Sequence, residues 1–363
     1  MNAETNLAVA RAALFGVAAV LLAIAPAGAE AQQFLPQKVV SSTIPANGDV
    51  NPYGVAVVPA NFPMSGPLNA GDVLVSNFNN QQNLQGTGTT IIQLTPNGEV
   101  APSGSASVFF QGSNLGLTTA LGVLQRGFVL VGNVPTTDGT FATLQPGSLL
   151  VLDQNGNVIS SLTKMLDGPW DLTIVDGFDH ARVFVSNVLN GTVTRLDLAV
   201  GASNVTVTAA HVIASGYGVA PNDAALILGP TGLAYDPASD ILYVASTDDN
   251  KVFGVARAGS RNKSEGRGAV VFKNKHLRGP LALTFAPNGH LLAANGDAVN
   301  ADPNEPSEIV EFTIGGQFIG QMNVDAAEGG AFGLAVANIG NGVTRFAFVD
   351  DNAANITVSD TQQ

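Results

Sequence analysis

The chain has 363 residues, a net charge of −13 and no cysteine. This charge argues against general nucleic-acid binding, and the lack of cysteine excludes disulfides and thiol nucleophiles. The high apolar content and low charge argue against disorder, and a chain of this length can bury one large core.

The first segment, residues 1–31, is predicted to be a secretory signal peptide. An apolar run over residues 12–25 follows Arg11, and small residues then fit cleavage after Ala29 or Ala31. The apolar run is short for a membrane span, and no stop-transfer segment follows it. An uncleaved N-terminal anchor is the alternative. The sequence therefore predicts an exported protein, periplasmic or extracellular, with no transmembrane segment after cleavage.

The rest of the chain, residues 32–363, repeats one pattern six times. Each repeat has a strand that usually contains Gly or Pro, then a strand usually ending in Asn, Ser or Asp. Further β-rich stretches follow, with Asn-Gly or Gly-Gly turns in several repeats. The repeats start near residues 51, 119, 168, 229, 279 and 330. Four short antiparallel strands cannot bury both faces alone, so we predict an all-β, six-bladed β-propeller with four-stranded blades.

The ends of the chain are predicted to close the ring. The last repeat lacks a fourth strand, whereas residues 37–44 form a spare strand ahead of the first repeat. We expect this N-terminal strand to complete blade six, which removes the open edges of a linear array.

Two features of these repeats resemble a known family. The order Pro-x-Gly-Leu-Ala, then a strand ending in Val-x-Asn/Asp, resembles the NHL-type β-propeller repeat. The phrases "GPWDLTIVD" and "VSNVLNGTVTRLDL" resemble an uncharacterised family of exported bacterial NHL-like proteins. The resemblance implies the propeller fold, which enzymes, ligand binders and scaffolds share.

The first strand of each blade is expected to line the central channel. Its start lies on the same face as the end of the second strand, and we call this the upper face. The residues just after the Pro position are mostly apolar: Tyr53, Leu121, Trp170, Thr231, Leu281 and Phe332. They either pack the channel mouth or offer a stacking platform to a ligand, with Trp170, Tyr53 and Phe332 as its aromatic members.

Asp171 interrupts a row of small residues at the next position. The other blades carry Gly54, Gly122, Gly232, Ala282 and Gly333 there. A carboxylate in a narrow channel must find donors, a cation or water, or it will be protonated. Asp171 is therefore a candidate for ligand binding and for metal binding.

A ring of polar residues is predicted at the ends of the second strands. Its members are Asn77, Asn133, Asn187, Ser246, Asn295 and Asp350. Such residues often hydrogen-bond their own following turn. Alternatively, Asp171, Asp350 and the four asparagines hold a cation such as Ca²⁺, or the ring binds a sugar. Asp297, Asp302 and Glu305 in the blade-five loop also suit Ca²⁺.

Eight of the fifteen basic residues fall within residues 251–278. This segment is either a solvated hairpin or a docking patch for an anionic partner.

Three functions follow from these features. The first is a non-catalytic scaffold that binds a protein or cell-envelope component through its upper-face loops. The second is a divalent-cation-dependent hydrolase or lyase, because "DGPW" at residues 167–170 resembles the acidic-Gly-Pro opening of gluconolactonase-like propellers. The third is a small-molecule or carbohydrate binder. The sequence contains no G-x-S-x-G elbow or dinucleotide fingerprint, so it does not predict nucleophilic or nucleotide chemistry.

Overall fold

The structure is a computed structural model that describes residues 37–96, 100–296, 299–300 and 304–362. The predicted signal peptide, residues 1–31, lies outside these ranges. Within them, no helix is long and apolar enough to cross a membrane.

Six four-stranded antiparallel sheets follow one another around a central channel. Blade one comprises β2 Val50–Val57, β3 Val73–Asn79, β4 Thr90–Leu94 and β5 Val108–Gln111. Blade two comprises β6 Leu117–Leu124, β7 Phe128–Asn133, β8 Ser148–Leu152 and β9 Val158–Leu162. Blade three comprises β10 Pro169–Asp176, β11 His180–Asn187, β12 Thr192–Val200 and β13 Val205–Ser215.

The second half of the chain builds the other three blades and one small hairpin. The hairpin joins blades three and four and comprises β14 Ala220–Asn222 and β15 Leu226–Leu228. Blade four comprises β16 Pro230–Asp236, β17 Ile241–Ser246, β18 Lys251–Ala256 and β19 Ala269–Phe272. Blade five comprises β20 Pro280–Phe285, β21 Leu291–Asn295, β22 Glu308–Phe312 and β23 Phe318–Asn323. Blade six comprises β24 Ala331–Asn338, β25 Val343–Asp350, β26 Asn355–Gln362 and β1 Gln37–Ser42.

The N-terminal strand closes the ring as predicted. β1 pairs antiparallel with β26, from Gln37 opposite Asp360 to Ser42 opposite Asn355. The fold class predicted from the sequence is thereby confirmed. Among the described residues, the one helical element is a 3₁₀ turn, Phe141–Thr143, in the loop between β7 and β8.

The small residues on the inner strands are explained by how closely neighbouring blades approach. A Cβ atom added at Gly333 would collide with the backbone carbonyl of Tyr53 in blade one. One added at Gly232 would collide with the backbone of Leu283 and Leu281 in blade five. The inner strands therefore pack backbone against backbone, which only small side chains permit.

The alignment of blade two differs from the one read from the sequence. Leu121 lies opposite Val131 in blade two, as Leu172 lies opposite Val185 in blade three. The position of Trp170 is therefore taken by Thr119, not Leu121, and the position of Asp171 by Ala120, not Gly122. The cause is a larger bulge in β6, where three residues face one residue of β7. The rule of small residues still holds, because Ala120 is small.

Candidate functional site

The upper mouth of the channel is closed by an aromatic cluster of Tyr53, Phe78, Trp170 and Phe332, which we call the aromatic plug. Tyr53 stacks on Phe332 with centroids 4.7 Å apart, and Trp170 meets Tyr53 edge to face at 6.1 Å. Blades one and three are not neighbours, so the contact between Trp170 and Tyr53 crosses the channel. Trp170 is only 1% exposed. The predicted aromatic members do come together, but they pack on one another and present no open stacking face.

Loops cover the plug from above. Leu226 and Ile227 of the β14–β15 hairpin belong to the same buried cluster as Trp170. The blade-one loop reaches this hairpin, because Gln85 Nε2 donates a hydrogen bond to the carbonyl of Asp223 at 2.9 Å. The hairpin is the element that the sequence analysis missed. Its strands are only three residues long, too short to show a periodic pattern.

Below the plug the channel contains a cavity of about 270 Å³. Inner strands from all six blades line it, from the level of Asp171 to the lower ends of the strands at Val57, Val123, Ile174 and Ala337. These lower residues are half-buried, so the cavity faces the lower side of the propeller. Most of the side chains that line it are aliphatic, but polar atoms form the larger part of its accessible surface. We call it the channel cavity.

Asp171 is the one ionisable residue among the described residues that line the channel cavity. Its Oδ1 accepts a hydrogen bond from the N–H of Leu172 at 2.8 Å, and its Oδ2 accepts one from Leu233 at 3.0 Å. The backbone N–H of Asp171 donates to Ser186 Oγ at 3.0 Å, a contact that Gly54 and Ser76 repeat in blade one. Burial raises the pKa of the Asp171 carboxyl well above its usual range, although the two amide donors act in the opposite direction.

Thr119 contributes a second polar group to the channel cavity. It lies on β6, in the blade next to Asp171, and is 5% exposed. Its hydroxyl oxygen is buried and has no hydrogen-bond partner among the described residues. Because buried hydroxyls are normally hydrogen-bonded, this one marks a place where a partner is missing. Thr119 was not predicted from the sequence, because the bulge in β6 shifts blade two relative to the other repeats.

The asparagines at the ends of the second strands hold the loops that enter their own blades. Asn187 shows the arrangement: its Nδ2 donates to Thr192 Oγ1 at 3.1 Å and to Thr194 Oγ1 at 3.0 Å. Its Oδ1 accepts from a backbone N–H of the incoming loop. The same acceptor contact occurs in three blades: Asn133 with Gly116 at 2.9 Å, Asn187 with Asp167 at 3.0 Å, and Asn295 with Arg278 at 2.9 Å. These carboxamides are thus already used within the protein.

The remaining members of the predicted metal set differ in detail. Asn77 donates to the carbonyl of Thr43 at 3.0 Å, and Asp350 Oδ1 accepts from the N–H of Ala353 at 3.3 Å. Across the described ranges, no three His, Asp or Glu side chains lie close enough together to hold a metal ion. The predicted set fits Ca²⁺ poorly, because the oxygens of three asparagines are taken by backbone amides. Ca²⁺ binding by these residues stays a prediction. Asp297 and Asp302 lie outside the described residues.

Two acidic neighbours occupy the upper rim of blade six. Burial and the nearby Asp350 raise the pKa of Asp351 to about 7. The pKa of Asp350 is also raised, first by burial and then by Asp325. These carboxyls repel one another, so their protonation is coupled to the stability of this rim.

The basic segment, residues 251–278, runs from β18 through β19 into the linker to blade five. Arg261 pairs with Glu265, and Arg267 Nη1 lies 2.6 Å from Asp249 Oδ1. Part of its charge is therefore neutralised within the blade. An anionic partner for this segment stays a prediction.

Comparisons with known proteins identify the fold alone. No family model matches the chain, and no curated protein is significantly similar to it in sequence. A putative oxidoreductase (glucose dehydrogenase) from Thermus thermophilus is 11% identical, covers 89% of this chain and 100% of its own, and has a TM-score of 0.50. The calcium-binding protein regucalcin from Agrobacterium tumefaciens is 13% identical, covers 88% and 96%, and also has a TM-score of 0.50.

A gluconolactonase from Xanthomonas campestris is 12% identical, with 87% of this chain and 89% of that chain covered and a TM-score of 0.49. The six-bladed β-propeller fold itself is established by the six four-stranded sheets. At such low identity, the activities of these proteins do not transfer, because one fold carries many functions.

Proposed function

We propose that this protein binds a small molecule in the channel cavity. The observation that carries the proposal is a cavity, open to the lower side, in which the half-buried carboxyl of Asp171 and the buried side chain of Thr119 lie among aliphatic side chains. Concave apolar sites with a few convergent polar groups and a perturbed pKa are where ligands usually bind. The site is lower than the one predicted from the sequence. Of the four predicted ligand-binding residues, Asp171 belongs to it, while Tyr53, Trp170 and Phe332 form its roof.

The test is a screen of small organic fragments against the methyl NMR spectrum of the protein. We expect ligands to shift the methyl signals of Leu172, Ile174 and Val336, which line the channel cavity. Thr173→Trp would fill the cavity and abolish these shifts. Thr206→Trp is the matched control, because Thr206 is exposed on the outer strand β13. The proposal fails if no fragment moves these signals, or if the shifts survive in Thr173→Trp.

The scaffold function is the second candidate. What supports it is the ordered upper surface, where the hydrogen bond from Gln85 to Asp223 joins two loops over the plug. Leu84 of the blade-one loop and Phe141 of the loop between β7 and β8 are exposed apolar side chains on this surface. Sedimentation with isolated cell-envelope fractions should be lost in the double variant Leu84→Ser, Phe141→Ser and retained in Thr206→Ser. Equal sedimentation of both variants argues against this surface.

Cation-dependent hydrolysis is supported only by the predicted residue set, since the likeness to gluconolactonases concerns the fold. Elemental analysis of purified protein, with melting scans in Ca²⁺ and in a chelator, tests it. A site that binds Ca²⁺ would raise the melting temperature with occupancy. We retain three further proposals from the sequence. The repeats are related to NHL-type repeats, the protein is exported from the cell, and residues 251–278 bind an anionic partner.

A further inference from the structure

The Asp171 carboxyl has hydrogen-bond donors but, in the described part of the chain, no cationic side chain beside it, and this combination indicates the kind of ligand that would bind there. Two backbone amides, of Leu172 and Leu233, already donate to its two oxygens. This arrangement suits an ionised carboxylate, which only accepts hydrogen bonds. Yet the described lining of the channel cavity contains no Lys, Arg or His to supply the positive charge.

The strands packed against β10 do not supply that charge either. β6 has no titratable residue, and Tyr53 of β2 can only add negative charge, with a pKa that burial raises far above neutrality. The titratable groups of the other two neighbouring strands, β16 and β11, lie toward their lower ends and do not line the channel cavity: Tyr235, Asp236, His180 and Arg182. The described residues therefore supply no counter-charge for an ionised Asp171, and a bound cation would be the group that stabilises its carboxylate.

We infer that the ligand of the channel cavity is a small primary ammonium compound with an apolar body, paired through its ammonium group with Asp171. This inference rests on the proposed function. Thr119, whose hydroxyl has no partner among the described residues, lines the same cavity and is the proposed second acceptor, and the aliphatic side chains of the lining would contact a short apolar body. The volume of about 270 Å³ lies below the usual range for drug-sized ligands, so the compound is small. A metal ion fits less well, because one carboxylate and one hydroxyl fall short of the six to eight oxygens that Ca²⁺ takes.

Binding of a cation to Asp171 should be coupled to the release of a proton, so the affinity should depend on pH. Without ligand, burial favours the neutral carboxylic acid, and the ammonium compound needs the carboxylate. Asp171 therefore releases its proton to solvent when the ligand binds. Affinity should rise with pH, up to about tenfold per unit below the pKa of the empty site. A neutral ligand that accepts a hydrogen bond from the protonated acid would show the reverse.

The experiment titrates the full chain with n-alkylammonium chlorides, from ethyl to hexyl, and with the matching alcohols at pH 5, 6.5 and 8. Binding is followed by the methyl signals of Leu172 and Ile174. We expect the ammonium compounds to bind more tightly than the alcohols, and increasingly so as the pH rises. Asp171→Asn should weaken ammonium binding at least tenfold and remove its pH dependence. Asp236→Asn, an equal charge change outside the cavity, should not.

Thr119→Val separates ligand binding from folding. Removal of a buried hydroxyl without a partner should leave the fold as stable or more stable, while ammonium binding weakens. If alcohols bind in the cavity as well as or better than ammonium compounds, or if affinity falls with pH, this inference is overturned and the proposed function stands. If no compound moves the cavity signals, this inference is overturned as well, and the fragment screen alone decides the proposed function.

Discussion

Asp171 Oδ2 accepts a hydrogen bond from the backbone N–H of Leu233 at 3.0 Å, and so joins blade three to blade four. Elsewhere in the ring a small residue lets two inner strands approach directly, as at Gly232 and Gly333. Between blades three and four a carboxylate spans the distance instead. The one acidic residue of the inner row therefore has a structural role as well as a proposed binding role.

The first prediction concerns pH and Asp171→Asn. The folded pKa of Asp171 is raised above that of the unfolded chain, so the folded state binds the proton more tightly. Stability is then lost as the pH rises from about 4, by up to ~1.4 kcal/mol per unit, until the folded pKa is reached. Asn does not titrate. Urea unfolding should therefore show wild type losing stability relative to Asp171→Asn between pH 4 and pH 8.

Asp236→Asn provides a control of opposite sign. The pKa of Asp236 is lowered, chiefly by the hydrogen bond from Ser239, so its contribution is present above the unfolded pKa and lost in acid. A pH-independent difference between wild type and Asp171→Asn would contradict the burial of this carboxyl.

A second prediction concerns Asp351, whose pKa is about 7 in the folded protein. An unfolded Asp titrates near pH 4, so wild type loses stability between about pH 4 and pH 7 and no further above. Asp351→Asn should be more stable than wild type at pH 8, by ~2–4 kcal/mol, and similar at pH 4. Urea unfolding measures this difference. If Asp351→Asn and wild type are equally stable at pH 8 as well as at pH 4, the raised pKa of Asp351 is contradicted.

The turn-holding asparagines give a third prediction. Asn187→Ala removes two side-chain donors and the acceptor for the Asp167 N–H, all in a buried position. We expect a loss of ~2–3 kcal/mol, because buried groups are left unsatisfied. Asn190→Ala, in the same loop but exposed, should cost less than ~0.5 kcal/mol. Similar losses in both variants would show that the buried contacts of Asn187 matter little.

A fourth prediction concerns the inner row. Gly333→Ala places a methyl group against the Tyr53 carbonyl, and the two backbones cannot separate without opening the ring. We expect a loss of ~3 kcal/mol or more. At Gly320, on the outer strand β23, an added Cβ meets nothing within 4 Å. Thermal melting should find Gly320→Ala as stable as wild type, and a comparable loss in both variants would argue against close packing at Gly333.

The sequence predicted the ring well because its evidence is repeated. Alternating strands, turn signals and small inner residues each occur in several blades, so one irregular blade does not hide the pattern. The closing strand was predictable for the same reason, since residues 37–44 stand where a fourth strand is needed. The site was less predictable because it depends on features that occur once.

Three features that occur only once determine where the cavity lies. The larger bulge in β6 moved Thr119 into the inner ring, and a bulge leaves little trace in composition. The β14–β15 hairpin covers the upper mouth, and its strands are too short for a pattern. The contact of Trp170 with Tyr53 crosses the channel, and no local rule predicts how side chains from separate blades fill a shared space. Together they place the open cavity on the side opposite to the one expected.

The pairing of β1 with β26 also sets the order in which the molecule can be completed. Blade six contains the first and the last strands of the ring, so it cannot form until residues 355–362 are available. Contacts between such distant residues are slow to form, because closing a long loop costs entropy before any contact compensates for it. Once formed, the same pairing slows unfolding, because the ring can open there only if β1 separates from β26 along its whole length. We therefore expect slow folding and a long-lived folded state.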